Sequence, residues 1–279
     1  MKMTIKKLTV VFVSLLLFLG GCAQMNGNTA NTTASASPVI DRILQRGELV
    51  VGMAGNMPPM NMTTKDGELI GYEVDLAKNM AATMGVRAKF NVMPFVDLLS
   101  ALQSGKIDLI LSNMTITPAR NLKVAFVGPY FTSGKAFLTK IKTIALADEA
   151  ADIDAKNTKL VALKGSTSQA FVEKAIPDAT LVTANDYDEA VKMVLEDKVH
   201  AMVADYPICV VSVFRYPNQG MLSVVTALTY EPIGVVVPAG DPLLVNWVEN
   251  FMGIAGETGL LQELKEKWFG KADWLLRLP

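Results

Sequence analysis

The residues best suited to holding a small charged molecule form one stretch, Ser112-Asn113-Met114-Thr115-Ile116-Thr117-Pro118-Ala119-Arg120. The apolar run Ile107 to Leu111 reads as a buried strand that delivers this polar stretch directly into a helix start. Thr117 is of N-cap type, and Pro118 suits the first helical position. Unpaired backbone N–H groups there, with the Arg120 guanidinium about one turn in, make a seat for a carboxylate: a fork of charge-assisted donors backed by a helix dipole. The same spacing also suits an ordinary cap with Arg120 on a solvated helix face. Asp205, at the tip of the apolar strand Ala201-Met202-Val203-Ala204, suits a carboxylate facing a ligand, the N-cap of a helix that begins around Pro207, or both at once. Met53, Met57, Met60 and Met62 offer the soft sulfur that Cu(I) selects, but methionine also fills cores and pocket walls. Glu73 and Glu231 are the carboxylates that acid chemistry would need. No Ser/His/Asp or Cys/His arrangement, Walker loop, dinucleotide fingerprint or zinc spacing occurs in the chain, so neither a metal nor a cofactor is expected.

The elements that must position these residues repeat one grammar. Leu49-Val50-Val51-Gly52 is a strand, and Lys65-Asp66-Gly67-Glu68 a hairpin turn. Val74, Ala77, Ala81 and Met84 share one helical face before Gly85. Phe95, Leu98, Leu99 and Leu102 repeat that face before Gly105. In the second half, Leu160 to Leu163 is a strand, Lys164 to Ser168 a polar turn, and Gln169 to Ala175 a helix. Asp186 and Glu189 have capping-box spacing ahead of a helix that runs to about Leu195. Strands alternating with helices of this length predict α/β lobes built on mostly parallel sheets, whose ligands sit at the carboxyl ends of strands.

With 279 residues, 51% of them hydrophobic, the chain is large enough for two lobes. Its 26 basic and 27 acidic residues leave a net charge of −1 and no basic footprint, which argues against nucleic acid as a partner. Lys2, Lys6 and Lys7 precede the apolar run Leu8 to Leu19, a processing segment too short to span a bilayer comfortably. Residues 22–39 follow as a flexible tether, rich in Ala, Thr, Asn and Ser. Cys209 lies in the apolar string Ile208 to Val213 and reads as a buried small hydrophobe.

The anion seat, read with Gly71-Tyr72-Glu73-Val74-Asp75-Leu76-Ala77, Gly105-Lys106-Ile107-Asp108 and Phe126-Val127-Gly128-Pro129-Tyr130, resembles the extracytoplasmic solute-binding proteins of polar amino-acid ABC transporters. The resemblance covers roughly residues 43–270. It implies the two-lobed periplasmic-binding-protein type II fold, with a ligand cleft between the lobes. It divides the chain into a signal peptide (1–21), the tether, a first lobe (40–136 and 235–279) and a second lobe (137–234). Leu19-Gly20-Gly21-Cys22 resembles a bacterial lipobox, which implies that Cys22 is lipidated and that the protein is held outside the cytoplasm on a membrane.

A free amino acid presents a carboxylate and an ammonium, and a dry site for it needs a positive fork, a negative partner and further hydrogen-bonding groups. The resemblance assigns the carboxylate to Arg120 and the ammonium to Asp205, with Asn113, Thr115, Ser166 and Thr167 completing the shell from both lobes. Relatives that bind cationic or polar amino acids carry an acid and an aromatic in the loop after the first strand; here Ala54 and Met57 stand in those places, and Phe95 matches a second aromatic. The expected wall is therefore apolar, made by Met57, Met60 and Phe95, and offers nothing to a positively charged side chain. The implied function is a monomeric binding component that serves an ABC permease and its ATPase. Two alternatives remain open: an enzyme similar to cyclohexadienyl dehydratases, using Glu73 or Glu231, and a methionine-lined Cu(I) site.

Overall fold

The computed structural model describes residues 37–224 and 227–279. The signal segment, Cys22 and the tether up to residue 36 lie outside the described residues. Residues 37–39, at the end of the expected tether, form the cap and first turn of a helix. The Ser37 hydroxyl accepts from the Ile40 N–H (3.1 Å), Pro38 occupies the first turn of α1 (Pro38–Arg46), and Gly47 closes the helix in the left-handed region at φ 69°. Asp241 then fixes the start of the body, accepting from Ser37 Oγ at 2.9 Å and from the Val39 N–H at 3.2 Å.

The first half of the chain runs β1 (Glu48–Met53), β2 (Asn56–Met57), β3 (Asn61–Thr63), β4 (Leu69–Ile70), α2 (Tyr72–Thr83), β5 (Arg87–Val92), α3 (Leu98–Gln103), β6 (Leu109–Ile110), α4 (Pro118–Asn121) and β7 (Val124–Ser133). The second sheet and its helices follow as β8 (Lys135–Thr139), α5 (Lys142–Ala145), β9 (Lys159–Leu163), α6 (Thr167–Ala175), β10 (Thr180–Ala184), α7 (Tyr187–Leu195), β11 (Ala201–Asp205), α8 (Tyr206–Arg215) and β12 (Leu222–Ser223). The chain then returns through β13 (Glu231–Pro238) to α9 (Pro242–Glu257) and α10 (Leu260–Phe269). Two five-stranded sheets result, ordered β5-β1-β6-β13-β7 and β10-β9-β11-β8-β12, beside a small antiparallel sheet β2-β3-β4.

Each large sheet is parallel where helices connect its strands, in the pairs β1 with β5 and β6, and β9 with β10 and β11. It turns antiparallel where β7, β8 and β13 carry the chain between sheets. The change of sheet falls at Gly134 and ahead of Glu231, where β8 and β13 begin. Lys135 is therefore the first residue of the second sheet. Strand positions such as Leu49, Val51, Leu138, Leu160, Val161 and Met202 are fully buried, so sequence runs with little alternation are the ones covered on both faces. Burying each such side chain stabilises the fold by about 1.5–3 kcal/mol.

Candidate functional site

The polar stretch after β6 is held in place by three anchors. Ser112 Oγ accepts from the Ala54 N–H at 2.9 Å and donates to the Met57 thioether at 3.7 Å, which ties it to the loop after β1. The Ile116 N–H donates to Pro232 O (2.8 Å), and the Gly234 N–H to Met114 O (3.2 Å), which ties it to β13. The third anchor is Glu73, on α2 and fully buried. It accepts from the Asn113 N–H at 2.6 Å, from Asn61 Nδ2 and from the Tyr130 hydroxyl. Asn113 adopts φ 50°, a left-handed conformation that Asn tolerates better than most residues, and the Glu73 carboxyl satisfies the N–H that this turn points inward. Burial pushes the Glu73 pKa up to about 7, with the donors Tyr130, Asn113 and Asn61 pulling in the other direction.

Thr117 and Pro118 do start a helix, and Thr117 Oγ1 accepts from the Arg120 N–H at 3.2 Å. That helix is a single turn of four residues, so the expected dipole behind the anion seat is too short to count, and one of its N–H groups already has the Thr117 hydroxyl. What remains of the seat is the guanidinium. Arg120 donates through Nη1 to Thr115 O (2.9 Å) and through Nη2 to Gly165 O (3.2 Å), and its guanidinium carbon lies 5.7 Å from the centre of the Phe95 ring. Burial lowers its pKa, while the charges of Asp205 and Glu231 act to raise it. Arg120 is thus a half-buried group between the two sheets, not a solvated one.

Asp205 occupies the N-cap position of α8 without capping it. Its carboxylate turns the other way: one oxygen accepts from Asn113 Nδ2, and the other from Lys135 Nζ at 2.6 Å. Thr167, the first residue of α6, places its hydroxyl 3.2 Å from that of Thr115 and 2.7 Å from Lys135 Nζ. The residues assigned from sequence therefore meet in three contacts between the sheets: Asn113 with Asp205, Thr115 with Thr167, and Arg120 with the carbonyl of Gly165. Ser166 stands beside them, but its hydroxyl serves its own turn, accepting from the Gln169 N–H (3.1 Å) and donating to Leu163 O (2.7 Å). Met57 and Phe95 are buried, as are Met53, Met60 and Met62; all four methionines lie within the core cluster.

Sequence reading missed Lys135. It is buried to 1% exposure, and its ammonium reaches Asp205, Thr167 and, at 3.3 Å, Glu231. A lysine opening an otherwise apolar strand, Lys135-Ala136-Phe137-Leu138, was the available signal.

A family model described as bacterial extracellular solute-binding proteins, family 3, matches residues 49–271. The chain belongs to this family. It is 27% identical over 235 residues to the L-cystine-binding protein TcyJ of Escherichia coli, covering 83% of this chain and 86% of that one. It is 24% identical to the glutamine-binding protein GlnH of Bacillus subtilis, covering 94% and 95% of the two chains. Of solved structures, a binding component of an ABC transporter from Wolinella succinogenes complexed with lysine matches with a TM-score of 0.78 at 35% identity, covering 83% of this chain and 99% of the other. The ancestral amino acid-binding protein AncCDT-1, described as a precursor of cyclohexadienyl dehydratase, matches with a TM-score of 0.75 at 33% identity, covering 82% and 99%. The two-lobed α/β architecture is the one these neighbours share.

Proposed function

We propose that this family 3 protein is the lipid-anchored binding component of an amino-acid ABC importer, and that it captures a free amino acid by closure of its lobes. The observation that carries the proposal is the convergence of Asn113, Thr115 and Arg120 from one sheet on Asp205, Thr167 and the Gly165 carbonyl from the other. Arg120 takes the carboxylate, Asp205 the ammonium, and Asn113, Thr115 and Thr167, with Ser166 beside them, surround the pair. Met57, Met60 and Phe95 form the side-chain wall. The Phe95 face already lies against the guanidinium, and the wall carries no acid, so ligands without a positively charged side chain are favoured. The names of relatives that bind cystine or glutamine support the amino-acid class. No catalysis is assigned, because Glu73 is enclosed among its donors and Glu231 pairs with Lys135 and Thr229.

A ligand that binds only the folded protein raises its stability by about 2.7 kcal/mol at a hundred times its Kd, which a melting screen detects readily. The screen takes the twenty amino acids, prephenate and Cu(I), followed by small-angle scattering with the best binder. A melting shift with an amino acid and a smaller radius of gyration at saturation are expected, since a ligand held from both lobes favours the arrangement in which they meet. A radius unchanged at saturation would place the site on one lobe.

The lipid anchor rests on Leu19-Gly20-Gly21-Cys22, together with the fact that no helix among the described residues is long and apolar enough to cross a membrane. Cys22→Ser should move the protein from the membrane fraction to the soluble one. Continued dependence on detergent in that variant would remove the anchor from the proposal.

A further inference from the structure

Lys135 and Asp205 are directly opposed partners in the antiparallel pair β8 and β11, so their side chains share one face of one sheet. Their contact is a property of the second lobe and does not depend on how the lobes meet. The ammonium donates to Asp205 at 2.6 Å and to Thr167 at 2.7 Å, and forms an ion pair with Glu231 at 3.3 Å. The carboxylate on which an amino-acid ammonium would rely thus already has one oxygen on a fixed cation and the other on Asn113. An arriving ammonium must share Asp205 with a like charge close by, which costs affinity for that group and leaves recognition of the carboxylate at Arg120 untouched.

We propose that Lys135 is a specificity-determining residue that competes from within for the ammonium subsite, so that this protein reads its ligands mainly through their carboxylate and separates an amino acid only weakly from the same acid lacking its amine. The inference rests on the proposed seating of the ligand between Arg120 and Asp205. It extends the ligand class from free amino acids to their deaminated counterparts. It also assigns Glu231 a purpose: a second acid, 3.3 Å from Lys135 Nζ, balances the charge of this buried cluster.

The experiment is calorimetry on matched pairs, L-glutamine with 4-carbamoylbutanoate, L-leucine with 4-methylpentanoate and L-alanine with propanoate, using wild type, Lys135→Gln and the double variant Lys135→Gln/Glu231→Gln. The double variant removes one charge of each sign, and so supplies the measurement should the single substitution fail to fold. For whichever pair binds, wild type should prefer the amino acid by less than about 30-fold, and both variants should widen that preference by at least about 30-fold through tighter binding of the amino acid alone. A wild-type preference above about a thousandfold that the variants leave within threefold would overturn the inference. So would loss of amino-acid affinity in variants that melt like wild type, since Lys135 would then be holding the ligand itself. Uptake of the deaminated acids without any amino acid would remove the amino-acid reading of the function and leave the role of Lys135 in place. A wild type that binds neither member of any pair would remove both.

Discussion

Arg120→Ala is expected to weaken amino-acid binding by roughly 30- to several-thousand-fold, the equivalent of about 2–5 kcal/mol for leaving a buried ligand carboxylate without its charged partner. The guanidinium is placed for this by Thr115 O, Gly165 O and the Phe95 face, which between them orient the planar fork across the gap between the sheets. Arg120→Lys should also lose affinity, because a point charge cannot hold two acceptors and a carboxylate in one plane. Met57→Ala is the contrasting case: it removes apolar contact and the weak hydrogen bond from the Ser112 hydroxyl, but no charged partner, and should cost about 1–3 kcal/mol while shifting preference among side chains. Calorimetry with the best amino acid from the melting screen measures all three. Binding by Arg120→Ala within threefold of wild type, with Met57→Ala abolishing it, would reject the clamp and make the methionine wall the principal site.

The second large effect is on stability against pH. Burial raises the Glu73 pKa from an ordinary 4.5 to about 7, so the folded protein holds a proton there that the unfolded chain has released. The sign follows directly: the contribution is complete below about pH 4.5 and declines as pH rises towards 7, because between those values the unfolded state binds fewer protons than the native one. The slope approaches 1.36 kcal/mol per pH unit, and the total is on the order of 3 kcal/mol. Above about pH 7 this group contributes no further change. Glu73→Gln, which keeps the shape and cannot ionise, should flatten the urea-unfolding free energy between pH 4.5 and 7 relative to wild type. Parallel pH profiles for the two proteins would show that Glu73 titrates normally. The same carboxyl fixes the Asn113 N–H, and Asn113 reaches Asp205, so its proton lies two contacts from the proposed ligand seat.

Much of the fold was legible because it depends on local patterns. Leu160 to Leu163 and Ala201 to Ala204 are uniformly apolar and became inner strands; Asp186 caps α7 by accepting from the Glu189 N–H at 2.7 Å; Gly67, at φ 81°, makes the turn between β3 and β4. Thr117 was equally legible as a cap, but a cap does not set helix length, and α4 ends after four residues. The start of α1 was hard to read because its signal is the pair Ser37-Pro38, which sits within a run otherwise indistinguishable from tether. Lys135 escaped notice for a different reason. Its meaning comes from Asp205, seventy residues away in sequence, and from the register that brings β8 and β11 side by side. Glu73 likewise reads as one acid on a helix until Asn61, Asn113 and Tyr130 close around it.

The crossing at Gly134 couples the mechanics of this molecule to its electrostatics. The two connecting segments lie so close there that a Cβ on residue 134 would stand 2.1 Å from Thr229 O and 2.5 Å from Ala227 Cβ. They are stitched together by Lys135 N–H to Thr229 Oγ1 (3.0 Å) and Leu228 N–H to Lys135 O (2.8 Å). The proposed closure of the lobes would have to bend this narrow strip, and the backbone of Lys135 is part of it. Any side chain larger than hydrogen at position 134 would stiffen or splay that strip, and in the same motion would shift the ammonium one residue away. Backbone crowding and the buried charge cluster lie one residue apart in this protein, and a substitution at 134 bears on both together.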